Sequence, residues 1–521
     1  MKSLTKLILL STLLLYTIES KSQDASDLAG TALDLSRATP GGSARILGLG
    51  ETQTSLGGDV SSISGNPAGL GFFNRSEVSL STSFNYLSST SKYLGSSTDD
   101  ARLNLNFGNL GVVIKNSKGK GLYKGGAFGI SINRIADFQN QITYEGSSFN
   151  NLDGNGNIIF DANRPADFVE FAVLSSSSDA SGNLSFDNDF AELAYETFLI
   201  SSFQDGNGDY FVDRDFYAVD ENGDLITDGN GNNIPAYSEP NFPVIQSENV
   251  KSTGATYQTS FAYGGNYNDR LYFGGNIGIL TMSKSVERRY TERPTNADLN
   301  GLLLEDNYDL TGSGVVATIG FIGRPVNPLL LGISYTTPSY YAIEQKRNIT
   351  LTANYAGNDI KSYGYDYDPF NYVITTPSRL RLGATYFMGK YGFLTGDVEK
   401  INYAGAKLSN SDIDQSFTEE NSTVNTFESV WNYRIGAELR YDIFRLRGGF
   451  SYAADPVKND YDQSESKISF GGGIRTEKFY LDLAVVNGLG RQSTISPYPG
   501  QEKAIVNNKN TGVSVTAGFF F

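Results

Sequence analysis

Two arrangements in this sequence put charged or oxygen-bearing groups at spacings that could bind something. The first is Asp205-Gly206-Asn207-Gly208-Asp209 with Asp213, where oxygen donors recur at alternate positions. That spacing serves calcium loops, whose hard cation takes several oxygens, and equally serves Asn-Gly and Asp-Gly hairpin turns. Tyr210 stands where a calcium loop has glycine and no glutamate closes the set. Turns are the first reading and calcium the second. The other arrangement is Arg381, Arg440 and Arg447, whose guanidinium groups could attract a carboxylate headgroup or be neutralised by nearby Asp and Glu in a bracing ladder. The chain has no His and no Cys. Ser-His-acid and Cys-His catalysis therefore cannot be assembled, and zinc would lack its usual ligands. Haem ligation would fall to Tyr or to Met282 and Met388, a poor set. No enzyme is expected, and no cofactor apart from the calcium alternative. A formal charge of −16 opposes nucleic-acid binding.

The elements that carry these groups follow from a rhythm of two. Val78, Leu80, Phe84 and Tyr86 alternate with Ser79, Ser81, Ser83 and Asn85, and Val513, Val515, Ala517 and Phe519 alternate with Ser514, Thr516 and Gly518. A helix would scatter both sets, whereas a strand sorts each onto two faces. About 14 such segments start near Ser76, Ala101, Tyr123, Thr253, Arg270, Gly312, Leu329, Pro377, Tyr391, Val430, Ile443, Glu465, Lys478 and Thr511. Beyond the N-terminus no apolar run is long enough for a membrane helix. Hydrophobic residues make up 39% and mean hydropathy is −0.28. A barrel reconciles those values with a membrane, because only alternate residues face lipid.

The predicted fold is all-β: a transmembrane antiparallel barrel of about 14 strands. Short links are expected at Asn266–Asp269, Gly323–Pro328, Gly389-Lys390, Asp442, Thr476-Glu477 and around Lys118–Lys120. Long ones are expected at Ser88–Asp100, Tyr144–Ser252, Thr291–Thr311, Ala342–Thr376, Ala404–Ser429, Asp455–Ser464 and Gly490–Asn510. Residues 1–22 read as a signal peptide, with Lys2 and Lys6 ahead of an apolar core and Ser20-Lys21-Ser22 as a small-x-small site. Residues 23–75 form a pre-barrel segment and 76–521 the barrel. A loop at 144–252 holds 20 Asp and Glu between Glu145 and Glu248, against only Arg164 and Arg214. By parity Arg381, Asp397, Glu399, Arg434, Glu438, Arg440, Arg447 and Asp482 point inward.

Ahead of the first strand lie Gly42-Ser43-Ala44-Arg45-Ile46-Leu47-Gly48-Leu49-Gly50 and then Gly57-Gly58-Asp59-Val60-Ser61-Ser62-Ile63-Ser64-Gly65-Asn66-Pro67-Ala68-Gly69-Leu70. This resembles the hatch of the FadL/OmpP1/TodX family of outer-membrane transporters, particularly its Bacteroidetes branch, with Gly58, Asp59, Asn66, Pro67, Ala68 and Gly69 as the motif. Leu331-Gly332-Ile333-Ser334-Tyr335-Thr336-Thr337-Pro338 and Thr376-Pro377-Ser378-Arg379-Leu380-Arg381-Leu382-Gly383 are similar to further family phrases. The resemblance implies a 14-stranded barrel in the outer membrane, its lumen plugged by the N-terminal hatch. It also implies passive uptake of fatty acids, aromatic hydrocarbons or other hydrophobic small molecules, with sideways exit into the bilayer. The family's lateral opening depends on a kink in the third strand, where Gly125, Gly126 and Gly129 are the candidates here. Asp24 to Thr39 precede the family-like hatch, and the acidic loop would repel a free carboxylate at low salt.

A hydrophobic small molecule is thus the expected substrate of a monomer embedded in outer-membrane lipid and lipopolysaccharide. The alternative is a structural or partner-binding barrel associated with protein secretion, as the resemblance also extends to shuttle components of that process.

Overall fold

The computed structural model describes residues 25–39, 41–116, 121–161, 163–410, 416–459 and 461–521. The expected signal peptide and the link around Lys118–Lys120 lie outside these residues. Fourteen strands close into one barrel. They are β1 (Glu77–Tyr93), β2 (Ser96–Lys115), β3 (Tyr123–Asp137, continuing as Asn140–Ser148), β4 (Val244–Tyr267), β5 (Leu271–Pro294), β6 (Leu299–Val326) and β7 (Leu329–Thr336, continuing as Tyr340–Tyr355). Then come β8 (Asp359–Asp366, Phe370–Thr375 and Arg379–Phe387), β9 (Gly392–Asn402 and Lys407–Ser409), β10 (Ser429–Tyr441), β11 (Phe444–Ala453), β12 (Glu465–Arg475), β13 (Phe479–Gly488 and Arg491–Ile495) and β14 (Ala504–Phe520). Each pairs antiparallel with its neighbours, and β1 closes on β14 from Glu77↔Phe520 to Lys92↔Ile505. Closure removes the two end edges that an open sheet would present.

Alternation decides what faces where. On β8, Leu380, Leu382 and Tyr386 are exposed outward while Arg381 and Thr385 are buried. On β7, Leu331, Ile333 and Tyr335 face out and Ser334 faces in. On β10, Ile435, Leu439 and Tyr441 are outside and Glu438 inside. An apolar belt around a polar lumen is the inverse of a soluble core and marks a lipid-facing wall.

Each of the 14 expected segments marks one strand, but the strands run further than their hydrophobic alternation. The predicted long links at Ser88–Asp100, Thr291–Thr311 and Ala342–Thr376 are largely strand: β1 turns into β2 at Leu94-Gly95, β5 reaches Pro294, and β7 reaches Tyr355 before β8 starts at Asp359. With β5 and β6 at 24 and 28 residues, and ~10 residues enough to cross a bilayer, their upper parts project beyond lipid. There the outward face has no need to be apolar, so the ladder continues after the pattern stops.

The loop expected at 144–252 is shorter and folded. Strand β3 extends to Ser148 and β4 begins at Val244. Between them lie helices α1 (Phe168–Leu174) and α2 (Asp189–Glu196) with three small hairpins. Phe168, Val169, Ala172, Ala191, Leu193 and Ala194 share one buried cluster with Leu302 and Leu304 of β6 and Ile349 and Leu351 of β7. This cap holds 18 Asp and Glu against Arg164 and Arg214, so its formal charge equals that of the whole chain. Arg214 is fully buried and bonds Asp167 (Nη1–Oδ2 3.1 Å) and the Ala236 carbonyl (2.9 Å).

Candidate functional site: the plugged lumen

The hatch is built from short turns tied by side chains. Ser43 Oγ donates to both oxygens of Asp59 at 3.0 Å, and Asp59 also accepts the Ser61 N–H at 2.9 Å. Gly58, at φ +68°, donates its N–H to the Gly69 carbonyl at 3.2 Å. Asn66 accepts the Ala68 N–H (3.1 Å) and donates to the Thr54 carbonyl (2.6 Å), while Pro67 starts the following helical turn. The expected motif residues therefore come together, with Asp59, Asn66 and the Gly58–Gly69 bond satisfying backbone groups that a loop inside a barrel could not offer to water.

The wall is shaped to receive this segment. A Cβ at Gly320 would lie 1.8 Å from Asn66 Oδ1, and at Gly264 and Gly274 2.3 and 2.4 Å from the Pro67 backbone. At Gly436 and Gly449 it would lie 2.3 and 2.1 Å from Leu49 and Gly50. These inward glycines let two backbones touch. Asp397 of β9 accepts the Gln53 and Thr54 N–H groups at 2.9 and 3.0 Å and the Thr54 hydroxyl at 2.9 Å.

The three candidate arginines lie in this lower lumen, and all are paired. Arg381 bonds Glu399, which also takes Arg434 at 3.1 Å. Glu438 holds Arg440 and Arg447, each at 2.7 Å, and Arg447 reaches Asp482 at 2.6 Å. Arg45 of the hatch adds contacts to Glu438 (3.5 Å) and Asp59 (3.6 Å). This is the geometry of the bracing ladder, with the plug wired into it.

Above the hatch opens a cavity of about 1650 Å³. Its floor includes Gly41, Gly42 and Leu47, its roof Phe171 and Phe190 of the cap, and its sides β1, β3, β5, β12, β13 and β14. A helix N-terminal to the family-like hatch, Ala25–Ser36, stands in it, packing Leu28, Ala29, Ala32 and Leu35 against Leu280, Leu310 and Ile343. Nothing in the strand rhythm announced this helix, although Leu28, Ala29, Ala32 and Leu35 carry a helical period in the sequence.

One side of the cavity meets a break in the wall. Strand β2 pairs with β1 along its length, but with β3 only from Asn109↔Asn133 to Lys115↔Ala127. Higher up, β3 leaves β2, bending at Phe138 and Gln139 between its two segments. Phe138 turns inward onto the N-terminal helix, and its N–H bonds the carbonyl of Gly254, a residue at φ +116° on β4. Side chains bridge the gap instead: Asn85 of β1 and Asn106 of β2 each donate to Asp137 Oδ2 at 3.3 Å, and above the bend Gln141 and Thr143 donate to Asp100 of β2.

The bend expected at Gly125, Gly126 and Gly129 is therefore displaced upward. Gly129 sits in intact ladder opposite Val113, where a Cβ would strike Ile63 of the hatch at 2.7 Å. Gly126 faces Tyr263, and Gly125 marks a bulge at φ +99°. These glycines seat the plug and start the strand. The break comes where β3 must swing inward to pack Phe138, which periodicity could not reveal.

In the acidic cap, Asp205 Oδ1 accepts the N–H groups of Asn207 and Asp209, both at 2.9 Å, and the Asn207 amide donates to Oδ2 at 3.2 Å. The same scheme recurs at Asp153, Asp179, Asp220 and Asp228. These bonds hold all five carboxyls below the usual range. Asp213 lies apart, bonded by the Tyr237 hydroxyl and the Arg214 N–H. Asp205, Asn207 and Asp209 thus form a hairpin turn with Asp213 on the strand that follows, and the described residues contain no group of three or more Asp or Glu poised for a metal.

A closed sheet with an oily exterior, a charged interior and an N-terminal plug defines a membrane-spanning barrel of the outer-membrane type. Among solved structures the same fold is found in the P. putida toluene transporter TodX, at 13% identity and TM-score 0.50, over 92% of this chain and 99% of that one. A Pseudomonas aeruginosa FadL homologue matches at 12% identity and TM-score 0.51, with the same coverage. At such identities the likeness is one of fold. No protein-family model and no curated sequence matches the chain.

Proposed function

We propose that this barrel is a member of the FadL/TodX transporters and a passive conduit carrying hydrophobic small molecules from outside the cell into the outer-membrane bilayer, with the hatch as floor and the β2–β3 break as exit. The observation that carries the reading is the continuity of the large cavity with that break: Asn85, Asn106, Ile135, Phe138 and Gln139 line both. A solute with an apolar body gains by passing sideways into hydrocarbon, since each buried CH₂ is worth ~0.8 kcal/mol. The fold of TodX, a toluene transporter, supports the reading.

The test is uptake of a labelled aromatic hydrocarbon or fatty acid into proteoliposomes. An Asn106→Cys, Asp137→Cys double variant closes the break through a disulfide, unambiguous in a chain without native cysteine. Oxidation should abolish uptake and reduction restore it. Equal rates in both states would sink the lateral route. A second reading, a partner-docking barrel, has the cap's concentrated charge in its favour. It is the better one if the cap captures secretion machinery while no apolar solute is taken up.

A further inference from the structure

The cavity that serves as conduit in the proposed function is not lined as a hydrocarbon channel should be. Eleven Lys and Arg but eight Asp and Glu contribute to its surface. Most of these cations are matched. Lys284 holds Asp34 at 3.1 Å, Lys467 holds Glu465 at 3.3 Å, Arg288 holds Glu248 at 2.8 Å, and Arg347 holds Asp306 at 2.8 Å. Arg134 and Arg434 have their own carboxylates, and Arg379 bonds the Ser36 and Ala38 carbonyls.

Four are left: Arg37 and Arg491, Lys509 on the adjoining strand and Lys503 just before it. Among the described residues none of these four has an ion pair. Arg37, at the end of the N-terminal helix, has a single long contact to the Gln463 amide oxygen at 3.4 Å. Arg491 begins the upper segment of β13 opposite Asn508, and no side-chain hydrogen bond to its guanidinium is found. Both are partly buried and both line the cavity. The carboxylates around them are already used: Asp34 by Lys284, Glu465 by Lys467, and Asp455 by the Val457 and Gln463 N–H groups at 2.8 and 2.7 Å. Burial and then the neighbouring positive charge of Arg491 push the Arg37 guanidinium down to about 10. The contacts place the two charges together, one on the plug side and one on the wall: Arg37 touches Gln463, and the adjacent Asp462 exchanges hydrogen bonds of 3.1 and 3.3 Å with Gln492, the residue after Arg491.

We propose that Arg37 and Arg491 form a recognition site for a dianionic, phosphate-type headgroup on an apolar tail. This rests on the conduit reading and narrows its substrate. Neither guanidinium has a direct carboxylate contact, so a neutral hydrocarbon leaves both forks without a charged acceptor and a carboxylate serves one. A phosphate monoester carries close to two charges at neutral pH and three acceptor oxygens, which suit two guanidinium forks at once. Across the cavity Phe138, Ile142, Val286 and Tyr308 supply an apolar surface leading to the β2–β3 break, so a tail has somewhere to lie while its head is held. Because Arg37 belongs to the plug segment and Arg491 to the barrel, the head also bridges the two parts.

The experiment uses the full-length protein in nanodiscs, with octyl phosphate, octanoate and octanol as probes of equal tail length and inorganic phosphate as a probe without one. Octyl phosphate should bind about tenfold or more tightly than octanoate, the scale of one charge-assisted contact, with octanol and inorganic phosphate weaker still. Arg37→Gln and Arg491→Gln should each erase most of that preference while leaving octanol unchanged. Arg491→Lys should restore only part of it, since a point charge replaces a fork. Neither arginine braces a buried carboxylate, so the variants should fold. Equal affinity for the three octyl probes, binding of inorganic phosphate as tight as octyl phosphate, or an undiminished preference in both Gln variants would each overturn the site. Octanol uptake that persists in those cases would leave the conduit standing, and its absence would remove both.

Discussion

The two halves of the lumen use the same residue types for opposite ends. In the lower half, charges sit in closed circuits: Glu438 is shared by Arg45, Arg440 and Arg447, and Glu399 by Arg381 and Arg434. Inward glycines there, Gly264, Gly274, Gly320, Gly436 and Gly449, let the plug backbone touch the wall. In the upper half a cavity replaces the contact, and among the described residues Arg37 and Arg491 have no ion pair. A buried pair contributes little net stability because desolvation consumes the attraction, but breaking one strands its partner at high cost. Pairing therefore separates scaffold from site in this barrel, where residue type and inward orientation do not.

The largest effect expected from that contrast is in the lower lumen. Glu438→Gln removes the carboxylate shared by Arg45, Arg440 and Arg447, leaving Arg447, 4% exposed, to Asp482 alone and Arg45, 5% exposed, to its longer contact with Asp59. Loss of one partner of a buried pair costs about 3–5 kcal/mol, so thermal unfolding in detergent should begin markedly earlier. The plug should also loosen, giving open-channel events in planar bilayers that the parent lacks. Arg491→Gln in the upper lumen should leave both measurements unchanged. If the two variants melt alike, paired and unpaired arginines are not different in kind and the contrast fails.

Much of the lower half could be read from the sequence, and physics says why. A strand between lipid and water must alternate, so Leu380 and Arg381 declared their faces, and 14 such stretches located all the strands. The Asn66-Pro67-Ala68 motif was legible through its family resemblance, and the structure supplies the physical reason: Asn66 caps its own backbone inside the barrel. The upper half was not. The Phe138 bend depends on a helix, Ala25–Ser36, whose docking lies in no local pattern. The cap's core is shared with β6 and β7, so its segments look merely polar when read alone. That Arg491 lacks a partner is a property of everything around it, and no spacing in one chain records it.

A smaller effect is expected in the cap, where the comparison can be repeated away from the membrane. Arg214 and Asp167 are both buried there, and Asp167 caps α1 by accepting the Glu170 N–H at 2.7 Å. Burial alone would raise the Asp167 carboxyl, but Arg214, the Ser238 hydroxyl and that N–H outweigh it and lower it below its ordinary 3.8. A depressed carboxyl contributes stability that is present above its unfolded value and lost as pH falls through the folded one. Protection of 149–243 from hydrogen exchange should therefore hold above pH 3.8 and decline below it, while the barrel strands stay protected. Asp167→Asn should shrink that step to the part owed to the exposed turn carboxyls and lower protection at neutral pH. A cap that opened only together with the barrel would show that the two share one cooperative unit.

The smallest effect belongs to the exposed turns, and it decides between the two readings of their spacing. Asp205 spends Oδ1 on two backbone N–H groups and Oδ2 on the Asn207 amide. A cation would have to displace the bonds that fold the turn and gather oxygens from Asp213, which Tyr237 and Arg214 already occupy. Calcium at millimolar concentration should thus leave hydrogen exchange at 205–213 as it is with chelator present. Asp205→Ala should loosen that hairpin without altering uptake. Calcium-dependent protection confined to these residues, abolished by Asp205→Ala, would instead mean that the turn is the apo form of a loop able to rearrange. The cap's charge would then be a reservoir for cations, as the barrel's upper arginines are for anions.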